Sequence, residues 1–319
     1  MHGLMMERPL IVSSLLEHVA AVHADRAVVS YAPEEPAHRS CYGATAERAR
    51  RLAAALQAIG VRPGDRVATL ATSTHRHLEV FYAAAGIGAV CHTVNPRLHP
   101  DQVAWILNHA GSTILLADLA FVDQAQAVFG RADRLRRLVL MTDRERMPAR
   151  LLIPALCYED LLAEGAHGFA WPQFDENTAA GLCYTSGTTG DPKGVLYSHR
   201  SQILHAFAVA LPDVAGLSEA DTVLPAAPMF HVQAWGIPFA AALTGAALVL
   251  PGPRLHGAAL ADLIEEEGVT IALGVPTVWV GLINSLRASG RRLSTLKRVI
   301  VGGAACPRTM IEAFEDGLG

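Results

Sequence analysis

The sequence is poor in charge, in aromatic rings and in cysteine, and each shortage closes off a class of protein. Charged residues fill 18% of the 319 positions, aromatic residues 6%, and the formal net charge is only −4. A chain so weakly charged carries no electrostatic footprint for nucleic acid or for an anionic membrane. The five cysteines, Cys41, Cys91, Cys157, Cys183 and Cys306, are odd in number and far apart. None falls at the spacing of a metal site or a redox motif, so they read as small apolar side chains in a reducing compartment, the cytoplasm. The N-terminus is short of basic residues, and its apolar stretch is broken by Glu17, His18 and His23, so no targeting segment is expected. One uncharged run, Ala234 to Pro253, approaches bilayer length, but Gly236, Pro238, Gly245, Pro251 and Gly252 interrupt it. It reads instead as a buried helix, a turn at Thr244-Gly245 and a buried strand Ala247–Leu250, so no transmembrane segment is expected.

What the chain has in abundance is apolar side chains, 51% of the total, enough for a large core. They fall in an alternating pattern. Val67–Ala71, Ala89–Val94, Ile114–Ala117 and Leu138–Met141 are short and almost wholly apolar, as strands buried on both faces must be. Helical patterns accompany them: Ala46–Ile59, closed by Gly60, and another after His99-Pro100, where proline suits the first turn. The opening helix carries Ser14-Leu15-Leu16-Glu17, a capping-box pattern. A second alternating set follows the turn-rich stretch 159–177. It comprises a strand at Gly181–Tyr184, a helix from about Ser201, a strand near Ala247, a helix Gly257–Glu267, a strand Thr270–Leu273, a helix after Pro276 and a strand Arg298–Val301. The expected class is α/β, with two mostly parallel sheets flanked by helices. The expected subdomains are residues 1–175 and 176–319, the second carrying the motif described next.

That motif is Tyr184-Thr185-Ser186-Gly187-Thr188-Thr189-Gly190-Asp191-Pro192-Lys193-Gly194. Glycines let backbone N–H groups close on phosphate oxygens, hydroxyls add donors, and Lys193 supplies a mobile cation. A polar surface turn needs two or three such residues rather than a run of this length. The spacing also differs from Gly-x-x-x-x-Gly-Lys-Ser/Thr, because Pro192 precedes the lysine and Gly194 follows it, so Lys193 is not expected to open a helix.

This stretch resembles the signature of the adenylate-forming superfamily, which includes acyl-CoA synthetases, luciferases and peptide-synthetase adenylation domains. Asn95-Pro96-Arg97-Leu98, Pro228-Met229-Phe230-His231, His231-Val232-Gln233-Ala234-Trp235-Gly236, Gly274-Val275-Pro276-Thr277-Val278 and Gly302-Gly303-Ala304-Ala305-Cys306-Pro307 extend the likeness along the whole chain. Their wording is most similar to medium- and long-chain fatty acyl-CoA ligases and to relatives acting on methylthio-propionate. The resemblance implies the large N-terminal domain of that fold, incomplete at its C-terminal end, with the C-terminal lid domain absent. It implies ATP, Mg2+ and coenzyme A as cofactor and co-substrates, a small-molecule carboxylic acid as the other partner, and allows a homodimer. It assigns Thr185, Ser186, Gly187, Thr188, Thr189, Gly190 and Lys193 to the phosphates, with Thr185 nearest the metal. Gly302, Gly303 and Ala304 border the nucleotide. His231, Trp235, Gly236, Val275, Pro276, Thr277, Gly302 and Gly303 line the acid pocket, and Lys193 and His231 are the expected catalytic groups.

The implied reaction joins a carboxylate to the α-phosphate of ATP and then passes the acyl group to coenzyme A, with no protein nucleophile. Two other readings stand beside it. One is a truncated, non-catalytic nucleotide- or acyl-binding protein, because the family's magnesium carboxylate, ribose carboxylate and C-terminal lysine are expected beyond Gly319. The other is an amino-acid adenylation domain, which is disfavoured by the absence of an acidic residue between Met229 and Gly236.

Overall fold

The computed structural model describes residues 1, 3–33, 35–185 and 191–317. In chain order the strands are Ala27–Ser30 (β1), His38–Cys41 (β2), Arg66–Leu70 (β3), Val90–Val94 (β4), Ser112–Ala117 (β5), Arg137–Leu140 (β6), Leu156–Cys157 (β7), Ala179–Thr185 (β8), Lys193–Ser198 (β9), Thr222–Pro225 (β10), Ala247–Leu250 (β11), Ile271–Gly274 (β12) and Arg298–Val301 (β13). The helices up to the middle of the second half are Val12–Val22 (α1), Tyr42–Ala58 (α2), His75–Gly86 (α3), Pro100–Ala110 (α4), Val122–Phe129 (α5), Tyr158–Glu164 (α6) and His199–Ala210 (α7).

The strands form two sheets, ordered β13-β12-β10-β11-β1-β2 and β7-β6-β5-β3-β4-β8-β9. Each is parallel except for one antiparallel edge strand, β2 in the first and β9 in the second. The apolar runs become strands for the reason the sequence suggests: β4 and β11 are buried at every position, flanked on both faces. The uncharged run resolves into a helix Ile237–Thr244, a left-handed Gly245 and β11. No helix among the described residues is long and apolar enough to cross a membrane.

The sheets do not divide where the chain halves. β1 and β2 lie beside β11 in the sheet otherwise built from residues after 221, and β8 and β9 complete the sheet begun by β3. Helix α3 sits between the two sheets, touching β1 of one and β4 and β8 of the other, and every one of its residues is buried.

The capping-box expectation fails. Helix α1 begins at Val12, so Ser14 is inside the first turn, where its hydroxyl donates to Ile11 O at 2.6 Å, and the N-cap Ile11 has no side-chain bond. Tertiary contacts set this start instead: Leu10 N–H donates to Glu176 Oε2 and Val12 N–H to His199 Nδ1. Helix α7 begins at His199, two residues before the expected start near Ser201, and its cap is Ser198, whose hydroxyl accepts from Ser201 N–H at 3.1 Å. The proline reading holds for α4, with Pro100 in the first turn and Gly111 left-handed at the end.

Candidate active site

In open parallel sheets, ligands bind beyond the carboxyl ends of the strands. Three of the segments singled out in the sequence emerge at that rim of the first sheet. β10 ends at Pro225 and runs through Phe230 to His231; β12 ends at Gly274 before Val275; β13 ends at Val301 before Gly302. Val275 caps the helix Pro276–Ser289, which places Pro276 and the exposed Thr277 in its first turn.

Glycines make the close approaches. A Cβ on Gly302 would sit 2.7 Å from the Trp235 indole, and one on Gly303, at φ +79°, would sit 3.1 Å from Val275 Cγ1. The structure therefore brings together Trp235, Gly236, Val275, Gly302 and Gly303. Ala304 is exposed beside them. The His231 side chain is exposed at the head of the turn leading to Trp235; its N–H donates to Pro228 O and its carbonyl accepts from Ala234 N–H.

The phosphate motif occupies the hairpin of β8 and β9. Thr185 and Lys193 stand opposite each other in the antiparallel pair, both exposed, with the Thr185 hydroxyl 3.5 Å from Lys193 O. Lys193 opens a strand and not a helix, as expected. Ser186, Gly187, Thr188, Thr189 and Gly190 lie outside the described residues. Tyr184, at the base of the hairpin, hydrogen-bonds His109 Nδ1 at 2.6 Å, and Trp105 stacks on His109 at 4.8 Å, tying the hairpin to α4. Among the described residues no group of three or more His, Cys, Asp or Glu side chains is placed to hold a metal ion.

Between hairpin and strand ends lies a feature that the sequence did not announce. Val232, Gln233, Ala234, Trp235 and Gly236 all have positive φ, from 48° to 68°, which makes one turn of left-handed helix. Glycine adopts this conformation freely, but the other four residues each incur about 1–2 kcal/mol. Such a turn persists only where its surroundings fix it.

The surroundings are mostly residues that the motifs did not include. Gln202 of α7 donates its amide hydrogen to Gln233 Oε1, and both side chains are buried. Gly181 of β8 forms the floor, since a Cβ there would overlap both amides. The Cys183 thiol lies at 3.0 Å from Thr93 Oγ1 and interacts with the backbone N–H groups of Gln233 and Val232. Burial nonetheless pushes its pKa up, so it remains a thiol. The His205 ring packs on Gly236, and its burial lowers its pKa. A cavity of about 190 Å³ opens here between α7 and the turn, bordered by Tyr197, Ser201, Gln202, His205 and Trp235. The signal available in the sequence was slight: Gln202 and His205 are polar residues three apart, on one face of a helix.

Comparison with known proteins agrees with this geometry. The sequence model of the family described as AMP-binding enzyme matches residues 16–319. The medium-chain-fatty-acid–CoA ligase of Ectopseudomonas oleovorans is 48% identical over 316 residues, which is 99% of this chain and 58% of that protein. The 3-methylmercaptopropionyl-CoA ligase of Ruegeria lacuscaerulensis is 48% identical over 320 residues, 100% of this chain and 59% of that protein. The crystal structure of the anthranilate CoA ligase AuaEII superposes with a TM-score of 0.86 over 98% of this chain and 59% of that one; at 23% identity this is a likeness of fold. The chain thus spans a little under three-fifths of the length of the relatives it matches. With a family match over nearly the whole length and nearly half of the residues identical to those of two acid–CoA ligases, the chain belongs to the AMP-binding enzyme family.

Proposed function

We propose that this chain forms the nucleotide- and acid-binding part of an ATP-dependent acid–CoA ligase acting on apolar carboxylic acids in the cytoplasm. The observation that carries the reading is the packing of Trp235 on Gly302 beside Val275, an apolar wall at the strand ends with no acidic residue on the turn that supplies it. A charged substrate amine would find no partner there. The 48% identity to ligases named for medium-chain fatty acids and for 3-methylmercaptopropionate supports the same substrate class. The five free cysteines support a reducing compartment.

In the proposed reaction the acid's carboxylate attacks the α-phosphorus of ATP and pyrophosphate leaves. The thiol of coenzyme A then attacks the acyl carbon and AMP leaves. The obstacle in the first step is charge, because an anion must approach a polyanion. Lys193 and the hairpin residues Thr185 to Gly190 are assigned to the β- and γ-phosphates, where fixed donors stabilise charge as it moves to the leaving group. Trp235, Val275 and Gly302 hold the acid's tail and exclude water, and His231 is assigned to the rim near the carboxylate. Magnesium fits this donor set only as a companion of the nucleotide: the ion takes most of its ligands from phosphates and water, and the exposed Thr185 hydroxyl is one that the chain can add. The ion would neutralise phosphate charge.

The test is ATP–pyrophosphate exchange with the enzyme completed to the length of its relatives, offering octanoate, butyrate and a neutral amino acid in competition. Exchange driven by the fatty acids is expected. Preference for the amino acid, or no exchange with any acid, would remove the proposal.

A further inference from the structure

The turn Val232–Gly236 is left-handed although four of its five residues are not glycine. Its internal hydrogen bonds, Ala234 N–H to His231 O and Gly236 N–H to Gln233 O, do not choose the hand, because the mirror-image turn would make the same pairs. The choice must come from outside the turn. At its far end Trp235 packs on Gly302 and the His205 ring on Gly236, and three further contacts reach Val232 and Gln233: the Gln202 amide on Gln233 Oε1, the bare backbone of Gly181 beneath both amides, and the Cys183 sulfur below the N–H groups of Val232 and Gln233. Of these three, the Gln202 and Cys183 contacts are hydrogen bonds through a side chain, and only the Gln202 bond reaches a side chain of the turn itself. Gln202 is itself anchored, since α7 is capped by Ser198 and its first residue His199 accepts from Val12 N–H of α1.

We infer that Gln202 is a positioning residue for the acid pocket: through Gln233 it holds the turn left-handed and so fixes the face of Trp235 that meets Gly302. Reversal of the turn would carry the Gln233 amide away from α7 and leave buried polar atoms without partners, which the fold resists. It would also lift Trp235 from Gly302 and change the 190 Å³ cavity at its side. The part of this inference that concerns the acid rests on the function proposed above; the part that concerns the turn does not.

Two substitutions separate the hydrogen bond from simple packing. Gln202→Met keeps the length of the side chain and removes the bond. Gln202→Glu keeps a bond in either ionisation state, donating to Gln233 Oε1 when protonated or accepting from Gln233 Nε2 when charged. Hydrogen exchange of the 319-residue chain, read by mass spectrometry on the peptide covering residues 229–237, is the direct measure. Exchange at least tenfold faster in Gln202→Met, with β3–β5 unchanged and Gln202→Glu close to the parent, is expected. Protection within twofold of the parent in Gln202→Met, or loosening spread evenly through β3–β5, would overturn the inference. In the completed enzyme, Gln202→Met should raise the KM for octanoate at least tenfold and leave the KM for ATP within twofold, with recovery in Gln202→Glu. Equal change in both constants, or in neither, would overturn the link to the acid. A completed enzyme that activates no acid would instead remove the proposed function, and the exchange result would still decide the question of the turn.

Discussion

Lys193 stands first in β9, opposite Thr185, with its side chain in solvent at the mouth of the hairpin. A cation held at a strand end, with little packed around it, contributes little to the fold, and its proposed role is in the reaction. Lys193→Ala in the completed ligase should therefore slow adenylation roughly a hundredfold, about 3 kcal/mol of lost transition-state stabilisation, while the urea unfolding curve stays in place. Single-turnover adenylate formation measures the first effect, and an unchanged rate at saturating ATP would refute the role. The sequence singles this residue out because its motif is dense in one kind of chemistry and sits beside a buried strand. It does not single out Gln202, His205, Gly181 or Cys183. Each is ordinary in its local sequence and gains its meaning from a turn that starts 27 to 51 positions later and bends in the unfavoured hand. No local preference announces a left-handed Val232, because tertiary contacts impose it.

Helix α3 shows the same limit one scale up. Four of its first five residues, His75, Arg76, His77 and Glu79, carry titratable groups, yet all five are buried between the sheets. The charges are made tolerable by pairing. Arg48 holds Glu79 by two bonds, at 2.7 and 3.1 Å, and Tyr158 donates to the same carboxylate at 2.6 Å. Arg48 and Arg76 share Glu159, and Arg76 reaches Glu35. Burial raises the Glu79 pKa despite Arg48, so the carboxylate is costly to keep and costlier to lose. Glu79→Ala leaves the Tyr158 hydroxyl only its long 3.5 Å bond to Arg76 O and one side of Arg48 unpaired in the interior, and should cost about 3–5 kcal/mol. Glu159→Ala, at the more exposed end of the network, should cost less. Urea midpoints at pH 7.5 would compare them, and an equal or smaller loss for Glu79→Ala would contradict this account. Strands of the β3–β6 kind were readable, to within a residue or two, because burial on both faces leaves a continuous apolar mark. β1, β2 and β9 left no such mark. β2 and β9 are edge strands that carry polar or exposed side chains, and β1 has only two fully apolar core positions, Val28 and Val29.

Across the whole molecule, burial holds several histidines neutral. His77 is pushed down to about 4, His92 to about 3 and His199 to about 4, each by desolvation, and His75 is also driven well below its ordinary range. The unfolded chain takes up these protons near pH 6.5 and the folded chain does not. Stability is therefore undiminished by these groups above pH 6.5 and falls as the pH drops from there toward 4, by about 1.4 kcal/mol per pH unit for each such histidine. The depressed carboxylates, Glu159 and Glu267 among them, act lower, as pH falls through the acidic range. Unfolding midpoints should decline already between pH 6.5 and 5; a flat profile over that interval would show that these side chains are not held neutral. The plan of the two sheets also dictates an order of events on the ribosome. β3 to β9 come from one continuous stretch, residues 66–198, and their sheet can close as soon as that stretch emerges. Val28 of β1 must wait for Leu248 of β11, some 220 residues later. At the usual pace of synthesis the delay is about 10–45 s. Throughout it the first apolar strand has only the short edge strand β2 as a companion, a pair too small to be stable alone. The sheet whose rim carries Val275 and Gly302 is thus begun first and finished last.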